Sequence, residues 1–162
     1  MNEGRYKILH KLGWGGYSTV WAARDQRFDV ALLCRVYGAD KIHRDGRYVA
    51  IKISVSEKEA ETRELGILRA IRSGLPDSPH LLQMLDHFEC NGPNGCHDCL
   101  VLELLGPSVS DLVERYYRDR RLPGKLAKDI AKQALLGLGS LHHHRIGHGG
   151  QLGSIRLVVD FD

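Results

Sequence analysis

Apolar and polar residues alternate with a period of two along the first stretch of the chain. Residues 6–14 and 17–25 show this pattern on either side of a glycine-rich segment, and "GRYVAIKIS" at 46–54 repeats it with β-branched residues. Alternation of this kind is typical of strands, and a glycine-rich break between two of them indicates a turn. The pattern therefore predicts three strands.

The spacing of apolar residues changes after residue 55. "SEKEAETRELGILRAIRSGL" places Leu65, Leu68 and Ile71 on one helical face. Ser56, followed three residues later by Glu59, forms a capping-box pattern at the predicted start. The segment is predicted to be an amphipathic helix.

The rest of the chain predicts two more strands and two more helices. "HLLQMLDHFEC" and "DCLVLELLG" indicate a hairpin with a cysteine-containing loop between its strands, and "SVSDLVERYYRDRRL" indicates a short amphipathic helix. "GKLAKDIAKQALLGLGSLHHHR" indicates a longer helix, whose apolar side comprises Leu126, Ile130, Ala134, Leu138 and Leu141. Five strands and one helix followed by two helices predict an α+β fold.

Composition and charge exclude few classes of protein. With 162 residues, 43% hydrophobic and 27% charged, the chain is long enough for a globular domain. No apolar run reaches the roughly 20 residues that span a bilayer, and no secretory signal pattern is present, so we expect a cytoplasmic or nuclear protein with reduced cysteines. The formal charge of +3 indicates neither nucleic acid nor membrane as a partner, and "RYYRDRRLPGKLAK" is interpreted as a solvated helix face.

Three cysteines and a histidine lie close together in "CNGPNGCHDC", as Cys90, Cys96, His97 and Cys99. A structural zinc site needs two tight ligand pairs, and only Cys96 and Cys99 have such a spacing. The segment therefore favours a simple hairpin loop over a zinc site.

Three features with phosphate-binding chemistry follow one another. Gly13, Gly15 and Ser18 lie on a strand–turn–strand, where glycines let a phosphate approach the backbone N–H groups. Lys52, in "VAIK" on the third strand, can reach phosphates if an acid holds it. Glu64 on the next helix is the candidate acid, with Glu61 as the alternative.

In this order the features resemble the amino lobe of a eukaryotic protein kinase, with its glycine loop, lysine, helix C and hinge. "LGWGGYSTVW", "NGPNGCHDCLVLELLG" and "LHHHRIGHG" resemble the SR-protein kinase branch of the CMGC group, fungal members in particular. The resemblance covers residues 4–25 and 46–149. It implies an amino lobe at 4–105 with an atypical insertion at 26–45, then the hinge, helix D and helix E of an incomplete carboxyl lobe at 106–149, and an atypical tail at 150–162.

The resemblance also implies ATP as the ligand, with Mg²⁺ expected for the family. Lys52 paired with Glu64 would orient the α- and β-phosphates, and Leu102 falls at the gatekeeper position. The implied nucleotide-binding set is Leu12, Gly13, Gly15, Gly16, Ser18, Val20, Ala50, Lys52, Glu64, Leu102, Glu103 and Leu105. Of these, Leu12, Val20 and Ala50 would enclose the adenine ring, and the backbone of Glu103 and Leu105 would bind it.

The family's catalytic pattern fails at the end of the chain. His148 is retained in "IGHGG", but Gly150 stands where the family has its catalytic aspartate, and Ile155 where it has an asparagine. Asp160 in "VVDFD" is the candidate metal ligand, yet Asp162 replaces the glycine that should follow Phe161. No catalytic residue is therefore intact, and no metal site is assigned.

The family implies a serine/threonine kinase acting on serines in Arg/Ser-rich protein segments, without direct nucleic-acid or membrane partners. As written, the chain is predicted to be inactive. One alternative is a nucleotide-binding pseudokinase with a regulatory role. The other is a mis-spliced gene product, in which residues 28–44 and those after 149 are translated non-coding sequence, or the latter arise from a frameshift. The long helix is further predicted to lack partners for Ile130, Leu138 and Leu141, which would weaken stability.

Overall fold

The computed structural model describes residues 1–27, 47–55, 63–74 and 78–147. Within these ranges, the elements are β1 Tyr6–Trp14, β2 Ser18–Asp25, β3 Arg47–Ser54, α1 Arg63–Gly74, β4 Met84–Gly92, β5 Gly95–Glu103, α2 Val109–Tyr116 and α3 Gly124–His143. The α+β fold predicted from the sequence is confirmed. The predicted capping box at Ser56 and Glu59, most of the insertion and the tail lie outside the described residues.

The five strands form one antiparallel sheet in the order β1-β2-β3-β5-β4. Because side chains alternate between the two faces of a strand, a cluster on one face takes every second residue of β3 and of β5. A buried cluster on one face of the sheet comprises Tyr6, Ala23, Val49, Ile51, Cys99 and Val101. Burial raises the pKa of the Cys99 thiol to about 12.

Strand β1 contains two bulges where it pairs with β2. The register shifts between Ile8 and His10 and again between Lys11 and Gly13, so Leu9 and Leu12 have no partner on β2. Both leucines are exposed, at 43% and 41%. Each bulge adds one residue to β1 and increases the local twist.

The β4–β5 hairpin extends farther than the sequence pattern predicted. Cys96 pairs with Asn91 and His97 with Cys90, so these two residues of the predicted loop lie within β5. Only Pro93 and Asn94 separate the two strands. The strands continue to this point because glycines border the turn, and Gly95 adopts a φ of 117° that favours glycine.

Arg5 joins the start of β1 to β2 and β4. Its guanidinium donates to both carboxylate oxygens of Asp25, with the shortest bond at 2.8 Å, and to Asp86 at 2.6 Å. The hydroxyl of Tyr6 donates to Asp86 at 2.9 Å, and the Tyr6 ring stacks on Phe88 with centroids 5.5 Å apart. Asp25 is a buried charged residue whose cost of burial is offset by this pairing.

The chain divides into two compact units. The first comprises Met1–Leu65 and Met84–Leu104, and the second Gly66–Gln83 and Leu105–Asp162. In the second unit, Ile71, Leu81 and Leu141 form a small buried cluster, with Ile67 and Ile146 packed against it.

Helix α2 is shorter than the pattern predicted. Ser108 caps its start through a reciprocal pair of bonds with Asp111, and the helix ends at Tyr116. Tyr117 is extended, and Pro123 disfavours helical backbone in the residue before it, so residues 117–123 form a connection. The interpretation of the basic stretch as a continuous helix face is therefore wrong over these residues.

Helix α3 presents the predicted apolar face, but its exposed leucines are not the predicted ones. Ile130 and Leu141 are buried and Leu138 is half-buried, whereas Leu135 and Leu136 are 68% and 49% exposed. The prediction that Ile130, Leu138 and Leu141 lack packing partners is therefore wrong. Among the described residues, no helix combines the length and apolarity that crossing a bilayer requires.

Candidate functional site

The first unit brings Lys52 and Glu64 together. Lys52 lies on β3, and Glu64 is the second residue of α1. The Lys52 ammonium contacts both carboxylate oxygens of Glu64, at 2.6 and 2.7 Å. The acid also lies in the first helical turn, where the helix dipole favours a negative charge. The pairing suggested by the sequence is thus present in the structure, and Glu61, the alternative acid, lies outside the described residues.

This ion pair contributes little to stability. The side chains of Lys52 and Glu64 are 27% and 47% exposed, and ion pairs with such access to water contribute on the order of 0–1 kcal/mol. The contact instead restricts where the ammonium can lie. Glu64 therefore acts chiefly by orienting Lys52.

Four of the residues implied by the resemblance share one face of the sheet. Val20 lies opposite Lys52, and Ala50 lies opposite Leu102. Since side chains alternate, Ala50 and Lys52 point to the same side of β3, away from the cluster that contains Ile51. Ala50 and Leu102 are buried and Val20 is half-buried, so this face is an apolar surface with one cationic group.

The glycine turn between β1 and β2 is closed by backbone hydrogen bonds. The Gly15 amide donates to the carbonyl of Ser18 at 2.9 Å, and the Val55 amide at the end of β3 donates to Tyr17 at 2.9 Å. A Cβ built at Gly13, Gly15 or Gly16 would meet no atom within 4 Å, and none of the three has a positive φ. Contacts within the described chain therefore do not require glycine at these positions.

The other residues implied by the resemblance lie in a bulge or at the ends of strands. Leu12 occupies a bulge of β1, Ser18 begins β2, and Glu103 is the last residue of β5, paired with Val49. Leu105 lies two residues after β5, at the start of the second segment of the second unit. His148, Gly150 and Asp160 lie outside the described residues. In the described ranges, no group of three or more His, Cys, Asp or Glu side chains could hold a metal ion.

Two aromatic residues at the glycine turn received no role from the sequence. Trp14 and Tyr17 are 77% and 85% exposed, and the Lys11 ammonium lies 4.6 Å from the centroid of the Trp14 ring. The signal available was the occurrence of large aromatic residues beside glycines. A short turn offers large side chains little to pack against, so the exposure of both residues could have been predicted from their position.

No protein-family model matches the chain. Among curated proteins, it is 34% identical over 140 residues to serine/threonine-protein kinase SKY1 of Saccharomyces cerevisiae. This match covers 86% of the present chain and 18% of SKY1. The chain is 36% identical over 144 residues to serine/threonine-protein kinase SRPK of Physarum polycephalum, covering 86% of this chain and 30% of that protein. The chain belongs to the SR-protein kinase family.

The chain is also 34% identical over 147 residues to SRSF protein kinase 3 of Homo sapiens. This match covers 86% of the present chain and 23% of that protein. The chain therefore spans about a fifth to a third of the length of these SR-protein kinase relatives. The five-stranded antiparallel sheet with α1 agrees with a kinase amino lobe.

Proposed function

We propose that the first unit binds ATP, with Lys52 contacting the phosphates. The observation that carries this proposal is the bidentate Lys52–Glu64 contact beside the glycine turn. In the sheet, Ser18 pairs with Ser54, two residues along β3 from Lys52. At about 3.3 Å per residue, the turn begins roughly 7 Å from the row of Lys52. A chain of phosphates could contact both features.

Each part of the arrangement suits one portion of the nucleotide. The Lys52 ammonium supplies a positive charge to phosphate oxygens, and Glu64 keeps it in place. Gly13, Gly15 and Gly16 leave open space beside the backbone of the turn, which supports a role in close approach of a ligand because nothing else in the described chain requires glycine there. The apolar face around Ala50 would take the base.

Magnesium is not included in this proposal. The described residues offer no group of three metal-binding side chains, and Asp160, the candidate from the sequence, lies outside them. ATP would supply a transferable phosphoryl group when bound, but transfer needs an acid that orients the accepting hydroxyl. The chain has Gly150 at that position, so we infer nucleotide binding without phosphoryl transfer.

The alternative is an active kinase that phosphorylates serines in Arg/Ser-rich segments. The family membership favours this activity, and each of the relatives described above is named a protein kinase. The chain spans less than a third of them, so whole-kinase activity, substrates and partners are proposals for this protein. Phosphotransfer to an Arg/Ser-rich peptide separates the two candidates.

The test is a thermal-shift titration with ATP, run beside a phosphotransfer assay. With ATP about 100-fold above its dissociation constant, binding stabilises the fold by about 2.7 kcal/mol, which raises the melting temperature by roughly 5 °C or more. We expect this shift without transfer. Lys52→Met should abolish the shift, while Lys7→Met, an exposed lysine on β1, should preserve it.

Gly15→Ala provides a second variant that should fold normally, because its methyl group meets open space. It should retain the melting temperature without ATP and reduce the shift with ATP. A wild-type protein that folds but shows no shift would overturn the proposal, as would an equal shift in Lys52→Met. Transfer to the peptide would establish the active kinase instead.

A further inference from the structure

The connection between α2 and α3 concentrates positive charge. We call residues 115–128 the basic connection. It contains six basic residues and one acidic residue, namely Arg115, Arg118, Arg120, Arg121, Lys125, Lys128 and Asp119. Its formal charge of +5 exceeds the +3 of the whole chain, so the remainder is slightly acidic. All six basic residues are exposed.

Acidic side chains in the described part of the chain do not neutralise these cations through ion pairs. Within the part of the chain that the structure describes, none of the six basic side chains forms an ion pair. Asp119 accepts a bond at 3.3 Å from the backbone amide of Arg121, not from a guanidinium. Like charges this close together in the sequence repel, and an anionic partner would relieve the repulsion.

The backbone of the basic connection is strained at an arginine. The Arg120 amide donates to the carbonyl of Tyr117 at 3.0 Å, which closes a turn. Arg120 has a φ of 54°, a left-handed conformation that glycine or asparagine adopts at lower cost. Because a glycine would serve the turn better, the presence of arginine suggests that the side chain has another purpose.

An aromatic residue accompanies the charges. Tyr116, the last residue of α2, is 70% exposed, and its neighbours Arg115 and Arg118 are exposed as well. An acidic peptide would be bound by charge and would gain little from an exposed tyrosine ring. Single-stranded nucleic acid offers both phosphates for arginines and base faces for aromatic stacking.

We propose that the basic connection binds single-stranded nucleic acid, with Tyr116 stacking on a base and the arginines contacting phosphates. The proposal departs from the expectation, drawn from the whole-chain charge, that nucleic acid is not a partner. The net charge of the whole chain is small because acidic residues elsewhere offset the charge of this segment. The proposal is independent of ATP binding, since it uses none of the residues assigned to that site.

The test measures fluorescence anisotropy of a labelled oligouridine of about 15 nucleotides, with the full chain, across a range of salt concentrations. A single-stranded DNA of the same length shows whether the sugar matters. A duplex and a poly-glutamate peptide serve as competitors that offer charge without accessible bases. We expect the two single strands to bind and the competitors to displace them poorly.

Two variants separate the contributions of charge and stacking. Arg118→Gln, Arg120→Gln and Arg121→Gln combined should weaken binding and reduce the slope of log K against log salt by about 2, at roughly 0.7 per phosphate contact. The control removes the same charge elsewhere, with exposed residues Lys7→Gln, Arg47→Gln and Arg72→Gln. It should leave affinity and slope nearly unchanged.

Tyr116→Ala should lower the affinity about fivefold or more through lost stacking, without changing the salt slope. Tyr48→Ala, which removes an exposed tyrosine on β3, is its control. Equal losses in the charge variant and its control would overturn the proposal, because binding would then follow net charge alone. Poly-glutamate displacing the RNA as well as unlabelled RNA does, with Tyr116→Ala silent, would overturn it in favour of an acidic peptide.

Discussion

The two compact units differ in where their charged and apolar side chains find partners. In the first unit, ionic side chains meet across elements, in the pairs Arg5–Asp25, Arg5–Asp86, Lys52–Glu64 and His87–Asp98. In the second, the six cations of the basic connection form no ion pair among the described residues, and Leu135 and Leu136 face outward. These ionic side chains of the sheet unit pair within the chain, whereas the cations of the basic connection are exposed.

The largest expected effect concerns the two cores. Ile51 is fully buried in the six-residue cluster of the sheet, and Leu141 belongs to a three-residue cluster. Ile51→Ala should lower the free energy of unfolding by about 3–4 kcal/mol, and Leu141→Ala by about 2 kcal/mol, since the smaller cluster can collapse more readily around the gap. Urea denaturation followed by fluorescence and circular dichroism measures both. Equal losses would contradict the contrast between the units.

The next effect concerns the internal pairing of the first unit. Arg5→Gln would leave the buried Asp25 carboxylate without its cationic partner, at a cost of about 2 kcal/mol. Arg47→Gln, which removes an exposed arginine from the first residue of β3, is the matched control and should change stability by less than about 0.5 kcal/mol. If both variants unfold at the same urea concentration, the network around Arg5 is not a source of stability.

Alkaline pH should destabilise the sheet through Cys99 and Tyr6. Burial raises the pKa of Cys99 from 9.0 to about 12, and burial together with Asp86 raises the pKa of Tyr6 above its usual 10.0. The unfolded chain loses these protons first, so stability is complete below pH 9 and declines as the pH rises toward 12. Unfolding free energies measured from pH 7 to 11 test the window.

Cys99→Ala should move the onset of this loss from about pH 9 to about pH 10, where Tyr6 begins to contribute. Cys96→Ala, which alters a half-buried thiol near the hairpin turn, should leave the onset where it is. An unchanged onset in Cys99→Ala would show that another group controls the alkaline limit.

The smallest effect is expected at the exposed leucines of the second unit. Leu135→Gln combined with Leu136→Gln removes apolar groups that already contact water, so the unfolding free energy should change by less than about 0.5 kcal/mol per site. Solubility should rise, because the exposed apolar patch on α3 is reduced. Light scattering of concentrated protein checks this, and a large loss of stability would mean that the two leucines are packed after all.

Local patterns predicted the elements well because their causes are local. Alternation gave β1 to β3, and the apolar positions of α3 gave its buried face, including Ile130 and Leu141. The Lys52–Glu64 pair could be predicted because a strand and the following helix bring the two residues together over 12 positions. The roles of the nucleotide-binding residues remain predictions.

The pattern of apolar and polar residues could not predict long-range contacts or the position of every turn. Arg5 and Asp86 are 81 residues apart, and neither has a sequence neighbour that indicates the other. The end of α2 depends on the extended Tyr117 and on Pro123, although the charge pattern there continues at helical spacing. Exposure of Leu135 and Leu136 depends on which elements pack against α3, which periodicity does not specify.

The paired bulges of β1 constrain how this strand can vary in length. A bulge lets two residues of one strand oppose one residue of its partner, so the pairs on either side of it stay in register. Leu9 lies between the pairs Ile8–Ala23 and His10–Ala22, and Leu12 lies between Lys11–Trp21 and Gly13–Val20. Deletion of either leucine alone would remove one bulge and leave these pairs, and the face that each residue occupies, unchanged. Length variants of β1 should accordingly gain or lose single residues at positions 9 and 12.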